Sequence, residues 1–69
     1  MQIKIQNSRE LYRSVTLEYQ VTINGTNHLF RIHQNSNEGD LYWFDEEPFT
    51  LMEDQVLPGI TIADLVWST

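Results

Sequence analysis

The strongest constraint on this chain is an alternation that ends at a turn. Val15, Leu17, Tyr19, Val21 and Ile23 alternate with Ser14, Thr16, Glu18, Gln20 and Thr22. A period of two belongs to a strand with one buried face, because successive side chains point to opposite sides. Asn24-Gly25 follows, the favoured pair for a two-residue type I′ turn, which needs positive φ at both central positions. Phe30 and Ile32 then resume the alternation. A two-residue loop pairs Ile23 with Thr26, Val21 with His28, Tyr19 with Phe30 and Leu17 with Ile32. On the other face it sets Glu18 opposite Arg31, a favourable cross-strand pair. A four-residue loop, Asn24 to Asn27, keeps the same faces inward but sets Gln20 opposite Arg31, so the charge pairing favours the shorter loop. A hairpin over residues 14–33 is expected, with Leu17, Tyr19, Val21, Phe30 and Ile32 on one buried face.

The remaining elements are read around this hairpin. Gln2-Ile3-Lys4-Ile5-Gln6 alternates and reads as a short strand, with Asn7 to Arg13 a connection that includes a helical turn started by Ser8. Gln34 to Asp40 is a polar turn cluster. Leu41-Tyr42-Trp43-Phe44 reads as a third meander strand, apolar on both faces, so that both are covered or one is kept for a partner. Beyond Pro48 the period changes. Thr50-Leu51-Met52-Glu53 has the form of a capping box, with Leu51, Met52, Gln55 and Val56 on one helical side, and Pro58-Gly59 ends it. Thr61-Ile62-Ala63-Asp64 is a second box, leading into Leu65-Val66-Trp67. The expected fold is α+β: a small antiparallel β-meander of about four strands, with one or two short C-terminal helices packed on one face.

Sixty-nine residues make one domain, residues 1–69, with a thin core, since a chain of this size buries only about 60% of its unfolded surface. A deep substrate cleft does not fit beside such a core. Cysteine is absent, which excludes a disulfide framework, a thiolate metal site and a cysteine nucleophile. No apolar run approaches the roughly 20 residues of a membrane span, and the polar residues after Met1 leave no apolar core for a signal peptide. The expectation is a cytoplasmic protein of a bacterial host cell.

Charge is segregated along the chain. Residues 1–37 hold Lys4, Arg9, Arg13 and Arg31 against Glu10 and Glu18, while residues 38–69 hold eight acids and no Lys or Arg. The formal net charge is −6. A strongly acidic surface repels nucleic acid and attracts basic protein surfaces.

Most chemistry is poorly served by these residues. His28 and His33 are five apart on one strand and fall on opposite faces, so they cannot chelate one ion together. His28 is expected at the core rim near Val21, His33 in solvent. Asp40, Asp45, Glu46 and Glu47 lack the spacing of a calcium loop and are interrupted by Leu41 to Phe44. Three glycines do not make a phosphate cradle, and no motif frames a nucleophile. No enzyme, cofactor or metal is expected. Direct nucleic-acid binding rests on Lys and Arg, and four bases face ten acids here.

A protein-binding surface remains, built from Glu38, Asp40, Tyr42, Trp43, Asp45, Glu46, Glu47, Glu53 and Asp54. If the third strand runs on through Glu47, Asp45 and Glu47 share a face roughly 6.6 Å apart. Duplex DNA carries about one charge per 3.4 Å on each strand, so carboxylates at such intervals suit a groove evolved for phosphates, and the adjacent aromatics supply an apolar anchor. The competing reading places Trp43 in the core, Tyr42 and Phe44 under the C-terminal helix, and the acids in a solvated loop. In size, charge and lack of cysteine the chain resembles the small acidic inhibitors that phages and mobile elements direct against nucleic-acid-handling host enzymes, anti-CRISPR proteins among them. The resemblance covers no motif and carries over no residue roles. The expected function is a non-enzymatic inhibitor whose carboxylates occupy the basic groove of a nucleic-acid-binding protein. The alternative is an accessory module or homodimer assembled through residues 41–44.

Overall fold

The computed structural model describes residues 3–11, 15–35 and 39–69. They form an antiparallel meander in strand order β1-β2-β3-β4-β5, a separate two-stranded ribbon β6-β7, and one helix. The strands are β1 (Ile3–Leu11), β2 (Thr16–Ile23), β3 (Thr26–His33), β4 (Leu41–Phe44), β5 (Glu47–Phe49), β6 (Gln55–Leu57) and β7 (Ile60–Thr61), followed by α1 (Ile62–Ser68). The α+β class and the meander agree with expectation. Among the described residues the meander has five strands rather than about four, the ribbon adds two more, and there is one helix.

The central hairpin has the expected short loop. Ile23 pairs with Thr26, Val21 with His28, Tyr19 with Phe30, Leu17 with Ile32 and Glu18 with Arg31. Asn24 (φ 50) and Gly25 (φ 84) both stand in the left-handed region, as a type I′ turn demands. Val21, Phe30 and Ile32 are buried, while Leu17 and Tyr19 on the same face are half-buried. Ser14, at the expected start of the hairpin, lies outside the described residues.

The first strand is longer than its alternation suggests. Residues 7–11 continue β1 instead of forming a connection with a helical turn, and Arg9 pairs with Glu18. A bulge between Ile5 and Asn7 shifts the register, and one extra residue flips the side-chain phase of everything after it. Ile3 and Ile5 therefore face inward, whereas Arg9 and Leu11 share the outward face with Lys4. Gln6 stands at the bulge, its Nε2 donating to Thr22 Oγ1 and, at 3.0 Å, to Asn27 Oδ1.

The expected helix after Thr50 is absent. Asp54 N donates to Leu51 O, closing a turn, while Asp54 Oδ2 accepts from Thr50 N at 3.4 Å and Leu51 N at 3.1 Å. The carbonyls of Met52 and Asp54 accept from Ala63 N and Ile62 N, so they satisfy the first amides of α1, which have no partner inside their own helix. Pro58-Gly59 joins β6 to β7 rather than stopping a helix; Pro pre-sets φ for the first central position, and Gly59 (φ 80) accepts the second. The second box forms as read. Thr61 Oγ1 accepts from Asp64 N and Asp64 Oδ2 from Thr61 N at 2.9 Å.

One core joins these parts. Val21, Ile23, Phe30, Ile32, Tyr42 and Phe44 of the sheet pack with Ile60, Ile62 and Leu65, all on the inward face. Burial of Ile62 and Leu65 holds a seven-residue helix that would be too short to persist alone.

Gly25→Val tests the turn. Nothing lies within 4 Å of where its Cβ would stand, so the loss reports backbone strain alone. A destabilisation of about 1–2 kcal/mol is expected in a denaturant melt; an unchanged midpoint would mean that the turn relaxes to another type.

Candidate partner-binding site

The sheet geometry divides the expected site residues into three groups. Tyr42 belongs to the core. It is 8% exposed, it stacks on Phe30 with ring centroids 6.3 Å apart, and its hydroxyl donates to Met52 Sδ at 3.4 Å. Burial, then the charge of Asp40, pushes its phenol pKa up. It offers no anchor to a partner. Trp43, one residue on, faces the other way, half-buried and edge-on to His33 at 6.4 Å. Glu38 lies outside the described residues.

The second group of carboxylates works inside the domain. Asp45 Oδ2 meets His28 Nδ1 at 2.7 Å and its Oδ1 accepts from Leu29 N at 3.1 Å. His28 is stacked on Phe44 at 4.8 Å, a core-rim position close to the one expected. Asp54 caps residues 50 and 51, and Asp40 Oδ1 accepts from Asn35 N at 3.3 Å. His33, expected in solvent, is half-buried, and its Nδ1 shares a hydrogen bond of 2.8 Å with Thr16 Oγ1.

The third group is Glu46, Glu47 and Glu53. All are exposed, and none makes a hydrogen bond or ion pair among the described residues. The strand does not run through them. Phe44 pairs with Glu47 across a tight turn, with Asp45 (φ 49) and Glu46 (φ 69) in the left-handed region. Asp45 and Glu47 therefore do not repeat along one extended face, and they do not present carboxylates at the strand repeat of about 6.6 Å. A left-handed conformation costs a residue with a Cβ roughly 1–2 kcal/mol. At Asp45 the backbone and side-chain bonds to β3 offset that cost. At Glu46 no hydrogen bond or ion pair among the described residues does. β5 returns antiparallel to β4, Tyr42 against Phe49, and Glu53 lies in the turn that follows it, between Met52 and Asp54, whose carbonyls accept from the first amides of α1. These carboxylates form an acidic rim at the start of β5 and the turns on either side of it rather than a row.

The outward sheet face has the opposite character. Arg9, Glu18, Arg31, Trp43 and Pro48 stand in one row across five strands. Glu18 accepts from Arg9 Nε at 2.9 Å and from an Arg31 terminal nitrogen at 3.0 Å. Its side chain is 12% exposed. The Arg31 hydrogen bond, with the Arg9 charge behind it, holds its carboxyl below the usual range despite opposing desolvation. Lys4 shares this face, and Glu18 is its one acid at a strand position among the described residues. Arg13 lies outside them. The segregation along the chain thus becomes a segregation between a cationic sheet face and an acidic edge. Sequence reasoning paired Glu18 with Arg31 but missed Arg9, because the bulge hides its phase.

Among the described residues no three His, Asp or Glu side chains converge on one point, and no helix is long and apolar enough to cross a membrane. No known protein family, curated protein or solved structure matches the chain.

Because the folded pKa of Glu18 is depressed below 4.5, its contribution to stability is present above that value and lost as pH falls through the lower folded value. Glu18→Gln should destabilise at pH 7 and flatten the acid limb of the stability curve below about pH 4.5. Denaturant melts from pH 7 to pH 3 measure this; parallel curves for the two proteins would contradict the assignment.

Proposed function

We propose that the protein is a non-enzymatic binding protein whose acidic rim engages a basic protein surface, in the manner of an inhibitor that occupies a nucleic-acid-binding groove. A phage or mobile-element anti-defence role is the setting this reading favours. The carrying observation is Glu46. The β2–β3 turn uses Asn24-Gly25, the pair that accepts left-handed geometry at little cost. The β4–β5 turn places a glutamate at φ 69, exposed and without a hydrogen bond or ion pair among the described residues. Where a local rule is broken without a compensating contact, function is the reading to test. Glu47 beside it and Glu53 in the turn after β5 extend the field, which steers association.

The test replaces Glu46, Glu47 and Glu53 together with Gln. Asp45 is left intact, because its carboxylate ties the turn to His28 and Leu29. The variant should keep wild-type stability within about 0.5 kcal/mol, as surface substitutions do. Used as bait in bacterial lysate, the wild-type protein should capture a basic polypeptide at low salt and release it near 1 M salt, where the screening length falls to about 3 Å. The variant should bind that polypeptide with a slower on-rate and a flatter salt dependence. Unchanged kinetics, an acidic partner or capture of nucleic acid itself would contradict the proposal.

A further inference from the structure

No described element covers the outward face of the five-stranded sheet. α1, β6 and β7 contribute only to the core on the inward face, and none of Leu11, Leu29, Leu41 or Trp43 joins that core. The outward face carries Lys4, Arg9 and Arg31 against Glu18, a local balance of two positive charges. Trp43 and Leu41 lie half-buried at its β4 side. Both Arg9 and Arg31 converge on one carboxylate, so one positive charge of that cluster is unbalanced. Arg31 Nε is buried and makes no hydrogen bond among the described residues.

We propose that this face docks the acidic rim of a second copy of the same chain, head to tail. Charge complementarity selects that occupant. A symmetric face-to-face dimer would set the cations of one copy against those of the other. A rim-to-rim dimer would set Glu46, Glu47 and Glu53 against their own equivalents. Only face against rim places opposite charges together, and each molecule carries both surfaces. The net charge of −6 opposes approach at low ionic strength. At 0.15 M the screening length is about 8 Å, shorter than the molecule's smallest extent of 19 Å, so the surfaces in contact decide. The two longer extents, 33 and 24 Å, limit any one face to about the 800 Å² that each side of a standard interface buries. The rim covers part of that, so the association is weak, with Kd on the order of 0.1 mM, above the micromolar limit typical of full-size interfaces. The contact is heterologous and builds short chains rather than a closed pair. It uses the rim but does not rest on the proposed function, since it is read on the purified chain alone. If both hold, self-association competes with the basic partner.

A charge swap tests the inference by sedimentation equilibrium at about 0.15 M salt, with the screening length near 8 Å. The face variant is Lys4→Glu with Arg9→Glu, which leaves the Arg31–Glu18 pair in place. The rim variant is Glu46→Lys, Glu47→Lys and Glu53→Lys. Wild-type protein should self-associate at millimolar concentration, and each variant alone should stay monomeric. An equimolar mixture of the two should associate again, because each reversed surface then finds its opposite. A milder face variant, Lys4→Gln with Arg9→Gln, should weaken association several-fold and guards against misfolding of the reversed one. A monomeric wild type would overturn the inference. So would association that survives both reversals, or a mixture that fails to recover it.

Discussion

The Asn24-Gly25 turn decides which side of every strand faces the core. With two residues at positive φ, it locks Val21 opposite His28 and Tyr19 opposite Phe30. A slip of one residue would send Phe30 and Ile32 to the solvent face. β4 inherits its register from β3, so that Tyr42 and Phe44 turn inward and Trp43 outward. The cations then fall on the outward side, with Leu41 and Trp43, and the core side chains on the side that receives α1. The electrostatic polarity of the molecule is therefore a consequence of strand register, not a separate feature laid over the fold.

Legibility in the sequence followed how local each signal was. The hairpin, β4 and the Thr61–Asp64 box could be read because their residues interact with near neighbours at fixed spacing. β1 was misjudged because the bulge at Gln6 breaks a period of two. The false helix at residues 50–56 had the right cap letters, but Asp54 turned its carboxylate back on residues 50 and 51, and the carbonyls of Met52 and Asp54 went to α1. The β4–β5 turn had no signal, since Asp45-Glu46 is not a pair that turn chemistry selects. Similarly, the aromatic run Tyr42-Trp43-Phe44 was recognisable as a strand, yet which of its rings meets solvent depended on the partner strand.

The acidic half of the chain proves to be two populations. Asp45, Asp54 and Asp64 carry hydrogen bonds that hold turns and a helix start. Their charge would be needed even in a protein with no partner. Glu46, Glu47 and Glu53 support nothing within the described fold, and they stand at the start of β5 and in the turns that flank it. Solubility alone would be served by carboxylates placed anywhere. Their placement at the start of β5 and in the turns before and after it, off the outward face that carries Lys4, Arg9 and Arg31, is what gives the molecule a direction.

The most direct test is a backbone-amide NMR titration of the isotope-labelled protein with a short oligolysine peptide. In protein dilute enough to be monomeric, amides of residues 45–47 and 53–54 should move together and added salt should reverse the shifts, while those of Arg9, Glu18 and Arg31 stay in place. Shifts spread evenly over the domain, or centred on the outward sheet face, would contradict it.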